Sequence, residues 1–232
     1  MTPLRIFIGW DPREAAAYHV LCHSLMQHAS CPISITPLMQ GSLRRSGVYW
    51  RTPDLKASTE FSLTRFLVPH LCDYQGYAVF MDCDMLCQAD IRALFDICQA
   101  DGMHSVYCVK HDYTPATDMK MDGCRQSVYP RKNWSSVMVF NNDRCRMLSP
   151  EYVNRATPAD LHQFRWMPDE EVGTLAYDWN WLVGEYVAHP DAALLHYTLG
   201  GPWFENCQGG PEAGRWIDAY KGMRSEVLSS IS

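Results

Sequence analysis

The sequence predicts an α/β fold with a mainly parallel sheet and helices on both faces. Three observations carry this. Strand-like and helix-like stretches alternate over residues 4–140. The chain opens with a strand, a turn and a helix start signal, Leu4 to Ile8 followed by Gly9-Trp10-Asp11-Pro12. A wholly apolar stretch, Ala78 to Met81, reads as a strand buried on both faces, as parallel sheets require.

The elements follow in order. Asp11 is placed to cap a helix, Pro12 holds its first position and Glu14 the acid position of a capping box; Ala15 to about Gln27 continue it. Ile33 to Leu38 reads as a second strand, and the polar segment Gln40 to Thr59 as a surface loop. Phe61 to Cys72 has helical spacing. Tyr77 to Met81 is the third strand, Ile91 to Ala100 a helix with Ile91, Leu94, Phe95 and Cys98 on one face, and Ser105 to Val109 a strand. Lys110 to Asn133 is a long polar, irregular stretch, of a length that compact domains keep for function. Ser136 to Phe140 is a further strand. The second half is less regular: aromatic clusters at Leu161–Met167 and Tyr177–Trp181, a strand at Ala192 to His196, and an amphipathic tail from Ala213 to Ser229 with Trp216, Tyr220, Met223 and Val227 in a stripe. That stripe reads as packing onto the domain rather than as a membrane or partner helix. Without repeats, low-complexity segments or a linker, residues 1–232 read as one domain.

The chemistry concentrates in Asp82-Cys83-Asp84. In an extended segment residues two apart share a side, so two carboxylates leave the end of a core strand together. Both ionised, they repel unless a cation sits between them. Hard divalent ions such as Mn2+ and Mg2+ favour oxygen ligands. The carboxyl end of a strand is where open α/β sheets bind ligands. The alternative is one Asp capping the next turn and one solvated. His19 and His23, four apart on the first helix, match zinc spacing but lack the glutamate of a metalloprotease motif, and read as a helix face.

Composition sets limits. The chain has 232 residues, 47% of them hydrophobic, with eight Trp, enough for a full core. A net charge of −6 argues against nucleic acid and supplies no polybasic patch for anionic membrane. No apolar run approaches the ~18 residues of a membrane span, which leaves peripheral membrane association open. The N-terminus lacks signal-peptide architecture. The ten cysteines, without C-x-x-C pairs, read as buried reduced thiols. The expectation is a cytoplasmic protein.

Taken together, Ile8-Gly9-Trp10-Asp11, the helix with Arg65, Asp82-Cys83-Asp84 and His196 before Gly200-Gly201-Pro202-Trp203 resemble the nucleotide-sugar glycosyltransferases of the GT-A, Rossmann-like fold. The resemblance is closest to glycosyltransferase family 8, which includes glycogenin and lipopolysaccharide glycosyltransferases. It spans roughly Arg5 to Trp203. Its specific parts are Ala78–Leu86 and His196–Trp203. It implies that Asp82, Asp84 and His196 bind Mn2+ (or Mg2+) and that the metal holds the diphosphate of a UDP-sugar. It implies donor contacts from Ile8, Gly9, Trp10, Asp11, Arg65, Asp82, Cys83, Gly200 and Gly201. Residues 1–110 would be the nucleotide-binding portion and 111–232 the acceptor side. The family's Asp-Gln-Asp segment finds its nearest counterpart in Asp160-Leu161-His162-Gln163; with Asp178, these are the catalytic candidates. The family's lysine before Pro-Trp is replaced by Gly201, and its Asn-Ser/Ala-Gly by Trp134-Ser135-Ser136. The implied reaction is retaining transfer of a hexose to a hydroxyl of a saccharide or lipid-linked glycan.

Apart from the resemblance, aromatic faces flanked by Asp178 and Asn180 suit a sugar ring, with Trp179 or Trp181 as platform; core packing with satisfied polar edges is the equal alternative. A strand ending in Asp-x-Asp also opens haloacid-dehalogenase-type phosphatases, whose first Asp is a nucleophile. A catalytically inactive binding protein of the GT-A fold is a further alternative. A sugar nucleotidyltransferase would need a Gly-rich basic loop that Gly9-Trp10-Asp11-Pro12 does not provide.

Overall fold

The computed structural model describes residues 2–52, 59–112, 119–120, 124–125 and 130–229. Eleven strands are described: β1 Leu4–Gly9, β2 Ile33–Leu38, β3 Tyr77–Met81, β4 Met85–Cys87, β5 Val106–Cys108, β6 Met119–Lys120, β7 Cys124–Arg125, β8 Val137–Asn141, β9 Val172–Thr174, β10 Trp181–Leu182 and β11 Leu194–His196. The helices are α1 Ala15–His28, α2 Gln40–Arg45, α3 Val68–Leu71, α4 Arg92–Asp101, α5 Pro150–Arg155, α6 Pro158–His162 and α7 Ala213–Ser229.

The central sheet has the order β2-β1-β3-β8-β5-β9. β2, β1 and β3 run parallel, as do β5 and β9; β8 is antiparallel to both its neighbours. The architecture is therefore mixed α/β with a mostly parallel sheet, as the alternation of elements predicts. Ala78–Met81 and Val137–Phe140 are fully buried, so both faces of the sheet's centre are covered. Each large apolar side chain there contributes roughly 1.5–3 kcal/mol by leaving water. β6 and β7 form a short antiparallel pair inside the stretch expected to be irregular.

A second, three-stranded sheet, β10-β11-β4, positions the site. β4 lies antiparallel to β11, with Met85 opposite His196 and Cys87 opposite Leu194. The chain leaves β3, passes through Asp82-Cys83-Asp84 and joins this other sheet at once. The acid pair is thus a bend between two sheets, not a continuation of the pleat; its two carboxylates converge because the backbone turns there. α7 packs Trp216 with Leu86, Leu195 and Tyr197, and Tyr220 and Met223 beside them. That is the domain-packing role expected of the stripe; the side chain of Val227 lies outside the described residues.

Several local expectations are corrected. Gln40–Arg45 is helical, not loop; the end of that expected loop, residues 53–58, lies outside the described residues. The expected helix from Phe61 to Cys72 divides into a 3-10 turn, Thr64–Leu67, and α3. Pro69 offers no N–H and favours the first turn of a helix, so a new helix starts beside it. β4 and β9 were hidden by their length of three residues. Among the described residues, no helix is long and apolar enough to cross a membrane.

Candidate metal centre

Asp82 and Asp84 leave the carboxyl end of β3, and His196 ends β11. The ligand atoms of these three residues all lie within 4.8 Å of one another. Asp84 Oδ1 is 3.4 Å from His196 Nε2. Two ligands each ~2.1 Å from one ion are ~3.0–3.4 Å apart at right-angle to tetrahedral geometry. The spacing therefore fits two groups sharing one cation.

The hydrogen bonds fix which imidazole nitrogen faces that space. Asn180, fully buried, directs its Nδ2 to Ser136 Oγ (2.8 Å) and to the Asn133 carbonyl (3.3 Å). A carbonyl only accepts, so the amide NH2 must lie on that side and Oδ1 on the other. Oδ1 sits 2.9 Å from His196 Nδ1, which must then carry the proton. Nε2 is thereby the nitrogen turned toward the Asp84 carboxylate, and the two are the ligand atoms that one cation between them would share. The donor set, two carboxylates and an imidazole, suits Mn2+ better than Mg2+.

Each acid has its own support. The Asp82 N–H donates to the Ser136 carbonyl at 2.9 Å. Arg65, buried and lying over the Phe80 ring at 4.8 Å, pairs with Asp82 Oδ1 at 2.8 Å and donates to the Ser135 carbonyl at 2.8 Å. The Asp84 carbonyl accepts from Tyr197 N at 2.9 Å. Beneath them is Glu14, only 1% exposed, accepting a long hydrogen bond from the Cys83 thiol at 3.5 Å. Burial, and then the charge of Asp84, push the Glu14 carboxyl well above the usual range. That shift favours the neutral form of Glu14, which adds less negative charge beneath Asp82 and Asp84 than a carboxylate would. This corrects the capping-box reading of Glu14. Asp11 is an N-cap, its carboxylate accepting from Arg13 N at 3.0 Å, but of a 3-10 turn, Pro12–Glu14, that precedes α1 rather than of α1 itself.

The other sequence candidates are placed as follows. Gly9, after Ile8 at the end of β1, lies under Phe61, whose ring would be 2.3 Å from an added Cβ. Trp10 packs edge-on to Tyr18 at 5.0 Å. Asp11 is also bound by the Arg13 guanidinium and by the Glu60 N–H. His162 pairs through Nδ1 with Ser135 Oγ at 2.8 Å, and desolvation followed by the Arg65 charge holds its pKa down to about 3. It reaches Arg65 through Ser135. Asp160 forms a capping box with Thr157 and an ion pair with Arg165 at 3.3 Å. Gln163 Oε1 accepts from Arg165, and Asp178 pairs with His189 at 3.0 Å. Gly200 has φ +105°, a conformation that glycine adopts readily. Gly201 lies against Trp203, whose ring would be 2.1 Å from an added Cβ.

In the aromatic cluster, Trp179 belongs to the main core and Asn180 to the histidine support, while Trp181 Nε1 donates to the Val187 carbonyl. Sequence reasoning missed Asn133, whose Nδ2 donates to Thr198 Oγ1 at 3.4 Å, and His111, held to a pKa of about 3 by burial and then by His196. Nothing local marks either residue, since their partners lie far along the chain.

The fold and the Asp-Asp-His cluster define a GT-A-type architecture with a candidate metal site, and solved structures agree. WbbM, a bifunctional glycosyltransferase, superposes with TM-score 0.65 at 15% identity, over 94% of this chain and 50% of that one. The galactosyltransferase LgtC, solved with donor and acceptor sugar analogues, superposes with TM-score 0.61 at 12% identity, over 94% and 96%. GlyE of Streptococcus pneumoniae TIGR4 gives 0.62 at 15% identity, over 99% and 64%. The chain thus spans half of WbbM and less than two thirds of GlyE. No protein-family model matches the chain. By sequence, the chain belongs to the family of protein CDI of Arabidopsis thaliana, to which it is 47% identical over 231 residues, 97% of this chain and 88% of CDI.

Proposed function

We propose that this protein is a divalent-metal-dependent glycosyltransferase, akin to family 8, that moves a hexose from a UDP-sugar to a hydroxyl of a saccharide or lipid-linked glycan with retention. The observation that carries the reading is the convergence of Asp82, Asp84 and His196 within 4.8 Å at the carboxyl end of β3. When bound there, Mn2+ would act as a Lewis acid on the departing diphosphate, where charge develops. Arg65 holds Asp82 in place, Asn180 presents His196 Nε2, and Glu14 limits the negative charge below. Ile8 to Asp11 border the nucleoside and the Gly200-Gly201 turn borders the phosphates. Cys83, buried between the two acids, fixes the bend.

On the acceptor side, Asp178 is the candidate for a hydroxyl contact, because its side chain is 48% exposed. Asp160 and Gln163 would have to leave Thr157 and Arg165 to touch a substrate. His162 acts through Ser135 as a neutral buttress for Arg65. The proposed enzyme works in the cytoplasm and reaches lipid-linked acceptors by peripheral association.

A panel of nucleotide sugars tests this without knowledge of the acceptor. One UDP-hexose should be slowly hydrolysed with Mn2+ and spared after chelation. UDP-sugar binding with no turnover toward water or any acceptor would identify an inactive binding protein instead. Hydrolysis that persists undiminished under EDTA would contradict the metal-dependent reading.

A further inference from the structure

The chain beyond His196 builds a pocket whose lining includes none of Asp82, Asp84 and His196. After β11 the backbone turns at Gly200 and Gly201, and Trp203 folds back so that its indole lies on Gly201, where no side chain could fit. The Trp203 ring is fixed from behind by Tyr197 at 5.9 Å and Trp216 at 5.2 Å. The next turn is tight: Phe204 N donates to the Gly201 carbonyl at 3.0 Å and Cys207 N to the Phe204 carbonyl at 2.9 Å. Trp203, Phe204, Glu205 and Asn206 line a pocket of about 470 Å³, within the ~300–1,000 Å³ typical of small-ligand sites.

The lining chooses the ligand. Trp203 and Phe204, both partly exposed, bring aromatic surface to it, and the exposed Glu205 carboxylate and Asn206 amide stand beside them. No lysine, arginine or histidine is among the lining residues, so a phosphate would meet Glu205 without a counter-charge. A neutral ring with apolar C–H faces and a rim of hydroxyls matches all four groups: aromatic faces take the C–H face, and carboxylate and amide take the hydroxyls. That ligand is a pyranose.

We propose that Trp203, Phe204, Glu205 and Asn206 form a saccharide subsite for a sugar ring of the acceptor, placed beside the Gly200-Gly201 turn. The choice of acceptor rests on the glycosyltransferase reading; the choice of a sugar rests on the lining.

The test uses the full chain and a panel of methyl hexopyranosides and short oligosaccharides, observed by saturation-transfer NMR. At least one should bind, and remain bound when UDP and Mn2+ are added. Phe204→Ala and Glu205→Gln should each weaken that binding about tenfold or more and leave Mn2+–UDP affinity within about threefold, roughly 0.7 kcal/mol. No binding by any saccharide, or binding unchanged in both variants, overturns the subsite. Displacement of the sugar by UDP-hexose but not by UDP overturns its assignment to the acceptor. The two readings fail separately. Mn2+–UDP binding without sugar binding removes the subsite alone. Sugar binding lost in both variants, with no Mn2+–UDP binding in the parent, upholds the subsite and removes the transferase.

Discussion

Two parts of the molecule carry carboxylates, amides and a histidine close together in sequence or space, and they use them differently. Around Asp82, Asp84 and His196 the bonds are long-range: Asn180 reaches Ser136 across 44 residues and Arg65 reaches Ser135 across 70. The side chains of Asp160 and Gln163 bond locally: Asp160 bonds Thr157 three residues back and Arg165 five ahead, and Gln163 bonds Arg165 two ahead, while only the Gln163 backbone carbonyl is reached from afar, by Arg131. Local bonds finish a helix end. Long-range bonds hold side chains from separate elements around one point, which a binding site needs. His162 stands between the two regions, on α6 by sequence but bonded to Ser135 of the metal-side network.

The sharpest way to break this contrast is at Asn180. Asn180→Ala removes the acceptor that sets the His196 tautomer. Loss of such an outer-shell partner typically costs 10–100-fold in metal affinity, so Mn2+ binding measured by calorimetry should weaken within that range. A folded variant with unchanged Mn2+ affinity would show that the amide serves packing only.

A second effect comes from the buried histidines. His111 and His162 are held near pKa 3 in the fold, against ~6.5 when unfolded. Below pH ~6.5 the unfolded chain takes up protons that the folded chain does not, so stability falls as pH drops toward 3 and is level above. At pH 5 each histidine costs about 2 kcal/mol. Thermal melts of His162→Gln against the parent should show a shallower acid loss. An identical slope would place the acid sensitivity elsewhere.

The smallest effect belongs to the local region. Asp160→Asn weakens one capping box, so stability should fall by about 0.5–1 kcal/mol, with Mn2+ affinity unaltered. Transfer that collapses while the melt is unmoved would make α6 catalytic and erase the contrast.

The same division explains what was legible in the sequence. β1, β2, β3, β8 and α1 announce themselves through apolar runs and the Asp11-Pro12 start signal, because those forces are local. The acid pair was legible because Ala78–Met81 points to it, and His196 only through the family resemblance that the stretch His196–Trp203 carries. The reversed direction of β8 was not legible, since strand direction leaves no periodicity. Neither was the bend that makes Asp82 and Asp84 converge, nor the roles of Glu14, Asn133 and Asn180. Glu14 stands where a helix cap would place it, yet its partner is Cys83, 69 residues along the chain in the bend between β3 and β4. Trp179 reads equally well as a sugar platform or as core. Its 6% exposure decides for core.

The central claim is that Asp82, Asp84 and His196 hold one divalent cation that in turn holds a nucleoside diphosphate. Calorimetry of UDP binding to the parent and to Asp84→Asn, each with Mn2+ and with EDTA, tests it most directly. The amide keeps the shape of the carboxylate but loses its charge, so the account predicts Mn2+-dependent UDP binding in the parent and at least a tenfold loss, about 1.4 kcal/mol, in the variant. Equal UDP affinity in all four measurements would contradict it.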